Sequence, residues 1–363
     1  MLNKHNTPVL CGELEVFAVD YKRRHEGHLK SVGSPTGKKV AIIGAGPAGL
    51  GCADTLVQRG HEATIFESKP APGGLLVYGI PNFKLPKDVW QEKWGEFERA
   101  GVKFVPNTTI GKDKTIDGLF EEGFEAVFIG VGSEIDAKME NTPGTDLPGV
   151  YEATDFLIRG NVDHDLLPAD MRKPLEIGKH VVVIGGGDTA SDCLRTALRL
   201  GSEDVTCLYR RTEREMPGGK KDRQMARDEG ARYRFLTQPV KFIPGEDGKL
   251  AAVECLEMKL GEPDAKGRRK PVPIEDSNFS VACDTAILAL GYWPDPILGK
   301  TTPGLEVKDW GLIAVKDKKT GATTREGVFS GGDCVTGPDL VVTAMVAGHK
   351  AAWAIDEYLS NKK

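Results

Sequence analysis

The stretch Val40-Ala41-Ile42-Ile43-Gly44-Ala45-Gly46-Pro47-Ala48-Gly49 runs an apolar, mostly β-branched segment straight into glycines at the G-x-G-x-x-G spacing. Such a segment reads as a buried parallel strand, and the glycines as its turn into a helix. The first glycine permits the tight turn, the second lets backbone approach a pyrophosphate, and the third lets helix pack on strand. The pyrophosphate then lies at a helix N-terminus, where unpaired N–H groups and the helix dipole favour an anion. Further along, a second strand, Ala63-Thr64-Ile65-Phe66, ends on Glu67, and the apolar run Ala126-Val127-Phe128-Ile129-Gly130-Val131-Gly132 closes the unit.

The same ordered signals occur again. Val181-Val182-Val183-Ile184 leads into Gly185-Gly186-Gly187-Asp188-Thr189-Ala190; Val205-Thr206-Cys207-Leu208-Tyr209 ends at Arg210-Arg211; Thr285-Ala286-Ile287-Leu288-Ala289-Leu290-Gly291 closes the copy. Ala190 stands where the third glycine would, a replacement that the fingerprint allows. The expected fold class is therefore α/β, with two Rossmann-type dinucleotide-binding domains. After Gly291 the chain is too short for a third, yet it carries Val328-Phe329-Ser330-Gly331-Gly332-Asp333 and a helical stretch over about 339–358. We expect it to return and complete the first domain, giving an arm at 1–37, the first domain at 38–147 and 293–363, and the second inserted at 148–292. Within the arm a short amphipathic helix is expected around Glu13–Arg24, and Pro35-Thr36-Gly37 makes a natural break.

The acids and bases at the strand ends separate the two sites. Glu67 lies where a carboxylate accepts hydrogen bonds from both hydroxyls of an adenosine ribose, and it repels a 2′-phosphate. The first site thus suits FAD or NAD. At the equivalent place in the second copy, the guanidinium forks of Arg210 and Arg211 bind phosphate bidentately and stack on adenine, which selects NADPH. Arg214 either assists or faces solvent between Glu213 and Glu215. Asp188 has two readings as well, a carboxylate favoured by the helix dipole or a group near the cofactor.

Size and composition fit this reading. The 363 residues suit two domains of roughly 100–200 residues. The formal charge of −5 is dispersed, which argues against a nucleic-acid partner. No apolar run approaches the roughly 20 residues of a membrane span, and Met1-Leu2-Asn3-Lys4-His5-Asn6 has no apolar signal core, so a cytoplasmic protein is expected. Seven scattered cysteines without a CxxC pair or metal-ligand spacing argue against a disulfide framework, a redox dithiol and an iron–sulfur cluster in this chain.

Over nearly its whole length the chain resembles the small (beta) subunit of NADPH-dependent glutamate synthase, and more broadly the flavoproteins that include thioredoxin reductase and adrenodoxin reductase. The resemblance is carried by Pro35-Thr36-Gly37-Lys38-Lys39-Val40, Gly73-Gly74-Leu75-Leu76-Val77-Tyr78-Gly79-Ile80-Pro81, the second glycine motif, Tyr209-Arg210-Arg211-Thr212-Glu213 through Met216-Pro217-Gly218, and Gly261-Glu262-Pro263-Asp264-Ala265-Lys266-Gly267-Arg268. It implies FAD in the first domain, bound by Gly44, Gly46, Pro47, Ala48, Gly49, Glu67 and Gly132. Gly73, Gly74 and Leu75 would lie along the flavin, and Gly332 and Asp333 at the ribityl and phosphate region. Leu340-Val341-Val342-Thr343 would begin a helix aimed at the pyrimidine edge, where its N–H groups stabilise the negative charge of the reduced ring. NADPH would meet Gly185, Gly187, Asp188, Thr189, Ala190, Arg210, Arg211 and Gly291.

Hydride then passes from the nicotinamide C4 to the flavin N5 when the rings stack, so no catalytic acid or base is expected from the chain. Tyr78 has two readings, a cover for the flavin face and a packed aromatic; Cys334 has two, a thiol close to the flavin and a buried inert one. Members of that family carry an N-terminal cysteine-rich iron–sulfur domain, of which only residues 9–24, with Cys11, resemble a trailing edge. Glutamate synthesis by this chain alone is therefore not expected. Three functions follow: a free-standing NADPH:acceptor oxidoreductase (diaphorase), the electron-input subunit of a complex with a large subunit or acceptor protein, resembling glutamate synthase or a ferredoxin–NADP transhydrogenase, and a non-catalytic flavin-binding sensor of NADPH.

Overall fold

The computed structural model describes residues 9–25, 31–263 and 267–362. Parts of the expected arm, 1–8 and 26–30, and Asp264-Ala265-Lys266 of the last family segment lie outside the described residues. Five parallel strands form the first sheet, in the order Val328–Ser330, Ala126–Ile129, Lys39–Ile43, Glu62–Phe66, Lys103–Val105. A second parallel sheet repeats the plan as Val150–Glu152, Thr285–Leu288, His180–Ile184, Asp204–Tyr209, Arg232–Phe235. The strand before each glycine turn is central and buried beyond its first residue, as expected where both faces of a parallel sheet are covered.

The chain leaves the first sheet after Ile129, builds the second, and comes back to pair Val328–Ser330 with Ala126–Ile129. At the two crossings Ile135–Asp136 pairs antiparallel with Tyr292–Trp293, a short ladder between the sheets. The helix Val341–Asn361 packs on the helix Pro47–Gln58 at very close range. A Cβ added at Gly348 would lie 2.0 Å from the Ala48 carbonyl oxygen, and one at Gly51 would lie 2.6 Å from that of Met345. Glycine at both positions is what lets these backbones approach.

Four antiparallel strands, Thr237–Pro244, Leu250–Pro263, Arg269–Pro273 and Phe279–Ala282, form an addition that the sequence reading did not anticipate. Phe242, Leu250, Val253 and Cys255 pack with Val182, Ile184, Leu208 and Leu288, so this sheet covers one face of the second parallel sheet in place of a helix. The helix near the N-terminus spans Cys11–His25 and buries none of its residues. Arg23 ties it to the first domain through a 2.9 Å hydrogen bond to Glu92. No helix of the described residues is long and apolar enough to cross a membrane.

Candidate functional site

A cavity of about 340 Å³ opens at the C-terminal ends of the first sheet's strands, the position that doubly wound sheets give to ligands. Gly44, Gly46, Pro47, Ala48, Glu67, Gly74, Leu75, Gly132, Asp333 and Val341 line it. Gly44 turns at φ +97°, and a Cβ there would meet the Gly130 carbonyl oxygen at 2.6 Å. Gly46 is different: its φ of −76° suits any residue, and the nearest atom to an added Cβ is 4.0 Å away. The fold does not demand glycine at 46. A methyl there would instead project into space at the N-terminus of Pro47–Gln58, where a pyrophosphate needs room.

Glu67, 6% exposed, is held on both oxygens. Oε2 accepts from the Ala45 amide at 2.8 Å, and Oε1 from the Lys69 amide and the Ser68 hydroxyl at 3.0 Å. Three of about four acceptor sites are thus committed, so the carboxylate is aimed by its own chain and keeps capacity for one ribose hydroxyl where two were expected. Asp333 opens the short helix Asp333–Thr336, and burial raises its carboxyl to about 6. Beside it the helix Val341–Asn361 begins with no side-chain cap, and Leu340 and Val341 at its start line the cavity, so its first amides have no side-chain partner.

Five of the expected residues are off the wall. Gly49 packs helix on strand, where a Cβ would strike the Gly44 carbonyl oxygen at 2.0 Å, and Gly73 is pressed by Val77 and Trp90. Gly332 is covered by Ala48. Val342 points outward at 59% exposed, and the Thr343 hydroxyl donates to the Leu340 carbonyl at 2.7 Å. Tyr78 is the packed aromatic of its two readings: it is 2% exposed, its hydroxyl donates to the Leu166 carbonyl and accepts from the Ala71 amide, and it is not on the wall. Cys334 is fully buried, and burial raises its thiol pKa. Among the described residues no cysteine lines the cavity.

At the second glycine turn, Gly185 has φ +152° and would place a Cβ 2.1 Å from the Ala289 carbonyl oxygen. Gly187 matches Gly46: it precedes the helix Asp188–Arg199 at φ −86°, with nothing within 4 Å of an added Cβ. Asp188 accepts from the Gly219 amide at 2.7 Å, and Gly218 donates to the Gly186 carbonyl at 3.1 Å, so the loop after Met216 is fastened over the turn. That bond gives Asp188 a local structural task. Ala190 is buried beneath the turn. Arg211 Nε donates to the Arg269 carbonyl at 2.9 Å, which brings the antiparallel addition against the end of strand Asp204–Tyr209. Partial burial, with the charges of Arg211 and Arg268, lowers the Arg210 pKa, the mark of cations gathered in one place.

Tyr292, next to Gly291, belongs to the short ladder between the sheets. Burial raises the pKa of its hydroxyl. Reading the sequence missed Thr154, Lys69, Glu134, Asp295 and Ile297 on the wall, because the topology assembles them without a local motif. Arg268 was in view only as the last residue of a segment that carries the resemblance, not as a neighbour of Arg210.

Residues 38–348 match the family described as pyridine nucleotide-disulphide oxidoreductase. The chain belongs to this family. Among its relatives, AegA of Escherichia coli (strain K12) is 45% identical over 90% of this chain and 50% of its own length. The glutamate synthase [NADPH] small chain of Halomonas elongata is 46% identical over 89% of this chain and 68% of its own length. The chain thus spans about half of AegA and about two thirds of the small chain. FprA of Mycobacterium tuberculosis, solved in complex with NADPH, superposes with a TM-score of 0.72 at 20% identity, covering 89% of this chain and 85% of that one, which shows the shared two-Rossmann fold. The protein is an oxidoreductase of that family, with the glutamate synthase small chain among its near relatives.

Proposed function

We propose that the chain holds FAD in the cavity at Gly44–Gly49, binds NADPH at Gly185–Ala190, and moves electrons from NADPH through FAD to an acceptor. The observation that carries the assignment is the contrast between equivalent strand ends, a buried carboxylate at Glu67 against gathered guanidinium groups at Arg210 and Arg211. When both cofactors are bound, NADPH supplies hydride and the flavin receives it. The chain's part is positional. Gly46 and Gly187 would leave room for the two pyrophosphates, and the first turn of Val341–Asn361 would offer its amides to the ring edge that gains charge.

Two acceptors are open to such a chain: a soluble quinone- or dye-like oxidant for a free-standing enzyme, or a partner protein in a complex. The glutamate synthase small-chain relatives favour an electron-input subunit whose partner is a large subunit, and the span of about half of AegA fits one module of a larger electron path. All seven cysteines are free, which suits the reducing conditions of the cytoplasm. Steady-state reduction of ferricyanide tests the reading. The purified chain, reconstituted with FAD, is expected to turn over with NADPH and far more slowly with NADH; no turnover with either coenzyme would refute it.

A further inference from the structure

The segment Pro81–Leu85 leaves the first domain just beyond the cavity-lining turn at Gly74 and Leu75 and lies against the flank of the helix Asp188–Arg199 in the second. Its base is stiff. Lys84 and Leu85 donate backbone hydrogen bonds to the Pro81 carbonyl at 2.9 and 3.0 Å, and Lys87 Nζ donates to the carbonyls of Leu76 and Ile80 at 2.7 and 2.5 Å.

At its tip the Phe83 ring lies under two guanidinium groups, with Arg195 at 4.2 Å and Arg199 at 4.5 Å from its centroid. Both arginines are already fixed by Glu229, whose Oε1 accepts from Arg195 at 2.7 and 3.0 Å and from Arg199 at 2.8 Å. Next to the ring, Lys84 Nζ bridges Asp192 at 2.6 Å and Asp222 at 3.0 Å, and Asn82 Nδ2 donates to the Asn161 carbonyl at 2.9 Å. The contacts of Asn82, Phe83 and Lys84 all cross from the first domain to the second.

We propose that Phe83 and Lys84 form a latch that sets the angle between the two dinucleotide domains, acting as positioning residues for hydride transfer. The inference rests on the proposed passage of hydride between the two sites. Domains on one chain ordinarily move against each other unless a strong interface prevents it. Here the gripped element is the helix whose N-terminus carries the second glycine turn, and it is held along its side. Asp192, Arg195 and Arg199 meet the latch there. These contacts run along two turns of the helix, so they fix its direction relative to the first domain and with it the direction of the second glycine turn. Releasing the latch leaves both pockets intact and loosens only their mutual placement, and a misplacement of about 1 Å costs hydride transfer on the order of a hundredfold.

The experiment uses the full chain with spin labels on Glu121→Cys and Glu246→Cys, both exposed, in a Cys11→Ser background that removes the one exposed cysteine. Pulsed electron–electron distance measurement should give one narrow distance in the parent. The Phe83→Ala and Lys84→Met variants, made singly and together so that a misfolded double variant does not decide the matter, should broaden or shift it. Phe83→Tyr, which keeps the ring, should restore the narrow distance. In rapid mixing with NADPH the two weakened variants should lose roughly ten- to a hundredfold in the limiting rate of flavin reduction, with the NADPH dissociation constant changed less than about threefold. A distance in the double variant as narrow as the parent's, together with a parent-like reduction rate, would overturn the latch. Should the parent itself fail to be reduced by NADPH, the proposed function falls, while the distance distributions still decide the latch.

Discussion

The Ala45 amide donates to Glu67 Oε2 at 2.8 Å, joining the first glycine turn to the end of the neighbouring strand. The carboxylate expected to mark the ribose is also a structural bond of the turn itself. Glu67→Ala should therefore do two things. It strands buried donors at Ala45 and Lys69, costing about 1–3 kcal/mol, and it releases the flavin. Urea unfolding and the absorbance of the protein as purified check the two effects, and a yellow variant of unchanged stability would refute this account of Glu67.

The glycines separate by role. Gly46→Ala and Gly187→Ala meet ordinary backbone angles and open space, so each should leave stability within about 0.5 kcal/mol. Each should nevertheless weaken one cofactor, FAD for the first and NADPH for the second. Gly49→Ala, with the Gly44 oxygen 2.0 Å from its Cβ, should destabilise the fold by more than about 1 kcal/mol. Melting temperatures set beside dissociation constants measured by calorimetry test the contrast; equal melting losses at all three positions would count against it.

Arg210→Ala with Arg211→Ala should raise the NADPH dissociation constant at least about tenfold and leave NADH within about threefold, because charge-assisted bonds to phosphate contribute roughly 1.5–3 kcal/mol each. Fluorescence titration of the reduced coenzymes reads both values. Equal losses would show that the guanidinium groups do not read the 2′-phosphate.

Burial raises the Asp333 carboxyl from 3.8 to about 6. Between those values the folded chain holds a proton that the unfolded chain has released, so the stability this group contributes is present in acid and is lost as pH rises through the window. Relative to Asp333→Asn, the protein should lose stability between about pH 4 and 6 and run parallel above. Urea midpoints of the pair across that range check the sign; a wild-type stability that rises relative to the variant's with pH would reverse it.

Both parallel sheets were legible because each central strand is a short β-branched run ended by a glycine turn, a signal contained in about ten residues. The cavity was legible where it is built from those turns and illegible elsewhere. Lys69, Glu134 and Asp295 reach the wall from separate loops, and only the strand order brings them together. The antiparallel addition escaped notice because a register shift between Pro239 and Lys241 breaks the pairing of its first strand, and Leu250–Pro263 mixes inward and outward residues without clean alternation. Phe83 and Lys84 sit in an unremarkable Pro-Asn-Phe-Lys-Leu-Pro run, and their meaning comes entirely from the helix opposite. Tyr78 shows the reverse case, a residue whose neighbours in sequence suggest the flavin but whose hydroxyl is committed to Leu166 and Ala71.

The central claim is that a flavin and a nicotinamide share this chain in reacting distance. An anaerobic titration of the FAD-loaded protein with NADPH, followed at the flavin absorbance maximum, tests it most directly. About one equivalent should bleach the band, with NADH needing far higher concentrations for the same change. A chain that takes up no FAD, or whose bound FAD keeps its full absorbance in excess NADPH, would contradict the claim.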